Sequence, residues 1–350
     1  MVNRKKSIHE FGVEELDKEL IARGIQTSDE EKFNFEDTEG TPARHAVLKE
    51  AKKLYKTTSA SNKELESIST WDLSRVIIFN IRNESDFSRG SSDWEERLDW
   101  YEIPDEQILQ NSGCVAAVCS KDSLIDSGKG YYSLKTKIYG EVFNLCDAEP
   151  FYDQPVSIGF MYSGFLVSGD VIATTSHVLN GKNINDFCFI FGYRMSGPRE
   201  PEIRVPVSNI YRGIEIIHHE KGENGDGWAL IKLDRKVQGQ AIARLSGEGI
   251  FSDEPLYVIG HPLGLPLKYT AGASIIEITS NNYFTAGLNI YSGNEGSPVF
   301  DLDTHELVGM VVQGVYSDFR WSGKGWLSVI QPGGTGSICM GISGIIPFIK

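Results

Sequence analysis

The 350-residue chain sets 34 Lys and Arg against 48 Asp and Glu, a net charge of −14. The resulting acidic surface argues against nonspecific binding to nucleic acid or to an anionic membrane, both of which need a basic face. With 36 glycines and 40% hydrophobic residues, the chain has the material for a sizeable core cut by many turns, and its expected partners are proteins or peptides.

The N-terminal MVNRKKSIHEFGVEELDKEL starts positively but has no apolar stretch behind it. It suits neither a secretory signal nor a membrane span, so a cytoplasmic location is expected. Val13, Leu16, Leu20 and Ile21 recur at helical spacing before Gly24, and Thr41 and Pro42 offer an N-cap and first-turn proline ahead of Val47, Leu48, Ala51, Leu54 and Tyr55. Residues 1–90 are therefore expected to form a helical extension with a docking or regulatory role, because apolar stripes on helices must bury against something, here a protein partner. The lysines of KEAKKLYK fall on the exposed face of the second helix.

From Trp71 onward the pattern changes. RVIIFNI, CVAAVCS, YYSLKTKIY, SGFLVSGDVIATTSH, FCFIFGY, GWALIKL, PLYVIGH, GASIIEIT, PVFD and ELVGMVV are short β-branched or aromatic runs separated by Gly, Asn, Asp and Pro, as strands are. The Ser-Gly-Asp turn at 168–170 joins two of them into a hairpin that runs into His177. No period of 20–50 residues repeats, which leaves an all-β double barrel or sandwich. Cys114, Cys119, Cys146, Cys188 and Cys339 form no Cys-x-x-Cys pair and no Cys/His ligand set. They are expected as reduced, buried thiols, and no cofactor is implied.

Three segments carry the chemistry. ATTSHVL places His177 after an apolar strand, GDGWALIKLD places Asp226 before another, and YSGNEGSPVF forms a glycine-rich loop around Glu295. In this order they resemble the histidine, aspartate and nucleophile segments of the trypsin/chymotrypsin-like serine proteases. LCDAEPFYDQPVSIGFMYSGFLVSGDVIAT, YVIGHPLGLPLKYTAGA and DWEERLDWYEI are similar to stretches of the bacterial glutamyl-endopeptidase-like members. The resemblance implies two antiparallel six-stranded β-barrels within residues 91–350, the first over about 113–240 and the second to about 340, with the site in the cleft between them. It makes His177 the general base, Asp226 the orienting group, the amides of Gly293 and Glu295 the oxyanion hole, and Asn289 and Ile290 the wall of the substrate pocket.

The chain departs from that pattern in several places. Glu295 stands where the nucleophilic serine belongs, and a carboxylate cannot form an acyl-serine intermediate. Ser297 is no substitute, since the usual motif carries a serine there as well. Gly227 holds the aspartate's place with Asp226 one residue early, which in a strand would face the other way unless GENGDG bulges. Val178, and Met161 with Tyr162, replace a common disulfide, and the apolar Ile290 predicts no preference for acidic side chains. His218 and His219 are expected to be solvated and His261 to belong to a proline-fixed turn. Two readings stay open: a pseudoprotease acting by protein binding, or a cytoplasmic serine endopeptidase represented by an inactivated variant. A third, a metal held by His177, Asp226 and Glu295, lacks the spacing of known ligand motifs.

Overall fold

A computed structural model describes residues 97–349, apart from 104, 146–148, 160, 180–182, 222–226, 248, 253, 280–281, 315–318, 322–325 and 329–335. The expected helices of residues 1–90, the run RVIIFNI, Cys146 and Asp226 lie outside them. The described chain begins with a two-residue strand, β1 (Leu98–Asp99), and a short helix, α1 (Glu106–Ser112). Asp105 caps the helix, its carboxylate accepting the amides of Gln107 at 2.7 Å and Ile108 at 3.0 Å.

The apolar runs then wind into two barrels. In the first, β2 (Val115–Ser120), β3 (Met161–Ser168), β4 (Val171–Thr175), β5 (Phe187–Phe191), β6 (Ile210–Glu220) and β7 (Trp228–Leu233) close in the order β6-β7-β4-β3-β2-β5. In the second, β8 (Pro255–Gly260), β9 (Lys268–Ile278), β10 (Tyr283–Ala286), β11 (Pro298–Asp301), β12 (Leu307–Gln313) and β13 (Ser337–Gly341) run β9-β8-β11-β12-β13-β10. The 11-residue β9 makes this closure: its first part pairs with β8 (Ser274 opposite Pro255) and its end with β10 (Ile275 opposite Ala286). Every ladder in both barrels is antiparallel. Closure leaves no free strand edge, and it lets short strands such as VAAVCS be buried almost throughout.

One apolar cluster runs from Phe165, Phe189 and Trp228 of the first barrel to Tyr257, Phe300 and Met310 of the second. The barrels thus share a core. The segment YYSLKTKIY is not a single strand. It breaks into Tyr131–Leu134, Thr136–Ile138 and a helical turn at Tyr139–Val142, all outside the barrels.

Two histidines behave as structural parts. His218 is not solvated as expected: its ring lies 3.8 Å from that of Phe348 and 4.7 Å from that of Trp228, because the C-terminal turn Ile346–Phe348 folds back over β6. His219 is exposed. His261 is 1% exposed, stacks on Tyr193 and bonds through Nδ1 to the Leu265 carbonyl at 3.2 Å.

Burial pushes the His261 imidazole down to about 3, with the nearby Lys268 ammonium adding to the effect and the Leu265 bond opposing it. The unfolded chain takes up this proton below about pH 6.5, whereas the folded chain resists it until about pH 3. Stability is therefore complete above the unfolded value and lost as pH falls through that window. The urea midpoint is expected to fall more steeply between these limits for the wild type than for His261→Phe. An equal slope in the variant would contradict this assignment.

The entering strand carries the chain's most buried charges. Asp99 and Lys268 face each other across β1 and β9, are both 0% exposed and form an ion pair. Gln154 completes the group, donating to Asp99 Oδ2 at 2.6 Å and accepting from Lys268 Nζ at 2.8 Å, while Lys268 also donates to the Pro266 carbonyl at 3.1 Å. Beside them Arg97, equally buried, stacks over the Tyr291 ring at 4.0 Å.

Candidate active site

Strand β4 ends at Thr175, and the turn Ser176–Leu179 lifts His177 out of the ladder to a half-buried position. Its Nδ1 lies 3.1 Å from the Thr175 hydroxyl, which in turn lies 3.4 Å from the Gly227 carbonyl. A hydroxyl that donates to that carbonyl offers the imidazole only a lone pair. In the tautomer with the proton on Nδ1, Nε2 is left as the acceptor a general base needs. Thr175 is the described partner of Nδ1; Asp226, to which the resemblance assigned that role, lies outside the described residues.

The loop from Tyr291 to Ser297 connects the site to the second barrel. The Asn294 amide bonds to the Tyr291 carbonyl at 3.0 Å and the Ser297 amide to that of Asn294 at 2.8 Å. Gly293 (φ +97°) and Gly296 (φ +85°) adopt the left-handed backbone that the turn requires. Neither has space for a side chain. A Cβ on Gly293 would lie 2.7 Å from the His261 carbonyl, and one on Gly296 would collide with that of Ser163.

Ser163, a fully buried residue of β3, holds this loop from the first barrel. Its Oγ donates to the Gly293 carbonyl at 2.8 Å and accepts the His261 amide at 2.9 Å, and its own amide bonds to the Glu295 carbonyl at 3.1 Å. Its only sequence signal is a hydroxyl among apolar neighbours in the hairpin, too common to single it out.

Glu295 turns back on its own loop. Oε2 accepts the Gly293 amide at 2.7 Å, so a carboxylate oxygen sits on the donor expected to bind an oxyanion. The Tyr162 ring stacks on His177 at 6.5 Å, and burial, followed by the Glu295 charge, raises its phenol above the ordinary value. Ser297 is 0% exposed, with Oγ 3.4 Å from Asn294 Oδ1 and packed against Gly260. Its hydroxyl lies beneath the loop, away from any approaching substrate.

The two residues expected to line a pocket are both buried. Ile290 joins Leu256, Val258, Leu288 and Val299 in the core of the second barrel. Asn289, between Leu288 and Ile290, is 8% exposed, and neither its amide nitrogen nor its oxygen has a hydrogen-bond partner among the described residues. An unpaired buried amide costs about 1–3 kcal/mol. Asn289→Leu is accordingly expected to stabilise the chain by about that amount in urea unfolding; a loss of stability would show that the amide is paired. Among the described residues no cluster of three His, Cys, Asp or Glu side chains is arranged to hold a metal ion.

Comparison with known proteins bears on the same segments. Residues 162–310, from Tyr162 through the loop into β12, match the family model of the trypsin-like peptidase domain. Over residues 162–310 the chain carries a trypsin-like peptidase domain. The protease Rv3671c from M. tuberculosis, in its active form, is 13% identical, with a TM-score of 0.43 over 75% of this chain and 90% of its own. A serine endoprotease from Yersinia pestis is 12% identical, with a TM-score of 0.41 over 70% of this chain and 66% of its own. No curated protein matches the chain. Trypsin-like peptidase domains act on proteins or peptides, and among the described residues no helix is long and apolar enough to cross a membrane.

Proposed function

We propose that this chain is a pseudoprotease, a trypsin-like scaffold that holds a protein or peptide segment in its cleft without cutting it. The observation that carries the reading is the 2.7 Å bond from the Gly293 amide to Glu295 Oε2. It puts an anion of the protein's own at the point where a protease stabilises the charge developing on its substrate. The burial of Ser297 supports the same reading, since its hydroxyl is closed off from solvent. The preceding 90 residues supply a second contact for a protein partner. The buried thiols of Cys114, Cys119, Cys188 and Cys339 suit the reducing conditions of a cytoplasmic location.

The competing reading, an endopeptidase represented by an inactivated variant, draws on the contact between Thr175 and His177, which gives the imidazole an orienting partner at Nδ1. A library of unstructured peptides passed over the immobilised full-length chain tests the proposal, and the same library passed over Glu295→Ser separates the two readings, since rapid cleavage by that variant would favour the second. Capture and release of uncut peptides is the expected result. Cleaved products from the wild-type chain, detected by mass spectrometry, would overturn the proposal.

A further inference from the structure

We propose that Arg97 is a positioning residue for the loop Tyr291–Ser297, and that the strap Arg97–Asp99 thereby couples the entering chain to Gly293 and Glu295. The inference rests on the reading of that loop as the ligand-binding element. Several contacts anchor it, among them two backbone bonds to Val311 of β12. Ser163 grips it from the first barrel, and the Leu263 amide, bonded to the Ser292 carbonyl at 2.5 Å, holds it from the second. Arg97 holds it from the entering chain, its guanidinium 4.0 Å over the ring of Tyr291, where the loop starts, and 5.1 Å from that of Phe151. Tyr291 is 3% exposed and its carbonyl receives the Asn294 amide, so a shift of its ring displaces the first turn of the loop.

The strap is itself fixed in register. Leu98 pairs with Tyr269 and Asp99 with Lys268, and both Asp99 oxygens are engaged, one by Lys268 and the other by Gln154. Lys268 Nζ also lies 4.6 Å over the Phe151 ring that flanks Arg97. The buried cations and the aromatic rings thus form one stack, which begins in the segment joined to the first 96 residues and ends at the loop. A planar, weakly hydrated guanidinium suits such a stack, whereas a Lys at the same place keeps the charge and loses the flat face.

Hydrogen–deuterium exchange of the full-length chain, followed by mass spectrometry, tests this without relying on activity. Arg97→Leu is expected to speed exchange in peptides spanning 288–298 by tenfold or more, leave β4 and β7 unchanged, and be partly rescued by Arg97→Lys. Asp99→Asn, which loosens the strap without touching Tyr291, is expected to act on the same peptides. Unchanged protection over 288–298, or a loss of equal size in both barrels, overturns the proposal. Should Arg97→Leu fail to fold, Arg97→Lys and Tyr291→Leu carry the test with the same two outcomes. A chain that binds no peptide yet shows this local coupling would remove the functional reading and leave the positioning role intact.

Discussion

Glu295→Ser is expected to turn an inert chain into one that reacts covalently with a serine-directed fluorophosphonate and slowly hydrolyses peptide esters. The substitution removes the carboxylate from the Gly293 amide and puts a hydroxyl at the position the loop was shaped to present, with the His177 imidazole already oriented by Thr175. Thr175 is neutral and cannot stabilise an imidazolium as a carboxylate does. Losing that charge in a triad lowers turnover by roughly 10⁴-fold. The variant is therefore expected to work about 10³- to 10⁴-fold below an intact triad, and His177→Ala in the same background to abolish what remains. A rate near that of an ordinary protease would mean that Asp226 also engages Nδ1. Complete inertness toward the probe would mean that the site has lost more than its nucleophile.

Lys268→Met is expected to have the largest effect on stability. It leaves the Asp99 carboxylate buried with Gln154 and no counter-charge, a loss of about 3–5 kcal/mol for breaking one side of a buried pair. For a domain of this size each kcal/mol moves the melting temperature by about 2–4 °C, so a calorimetric drop on the order of 10 °C is expected. The double variant Asp99→Leu/Lys268→Met is expected to recover most of it, because an apolar pair of similar volume replaces two desolvated ions. Equal losses in the single and double variants would show that packing, and not the uncompensated charge, sets the cost.

Much of the scaffold was legible in the sequence because barrel strands are short, β-branched and bounded by glycine. The hairpin ending at His177 and the run PVFD after the loop are strands β3, β4 and β11. Strand β6 was not read, because its Ile214 and Ile216 point to solvent and its residues follow neither a buried run nor a clean alternation. Ile290 was placed beside Asn289 in a pocket by resemblance, yet the structure packs it with Leu256, Val258, Leu288 and Val299 in the second barrel. Ser163 and Arg97 had no local signal. The one acts on a loop 130 residues away, and the other on a ring whose position depends on the closure of the second barrel. Tyr162 was noted only for the missing disulfide, while its ring pairs with that of His177 and its phenol feels the Glu295 charge.

The bond between Glu295 and Gly293 makes the chain its own competitor. A group tethered only two residues from its acceptor site acts at an effective concentration on the order of millimolar or more, against which a free carbonyl or carboxylate arriving from solution is weak. On the pseudoprotease reading, a ligand would displace it only by gathering affinity from contacts elsewhere on the chain, so short fragments would be rejected and long segments admitted. When the ligand left, the side chain would return to the amide as an intramolecular step. The carboxylate would then work as a latch with a length threshold, a behaviour that a serine at the same place could not provide.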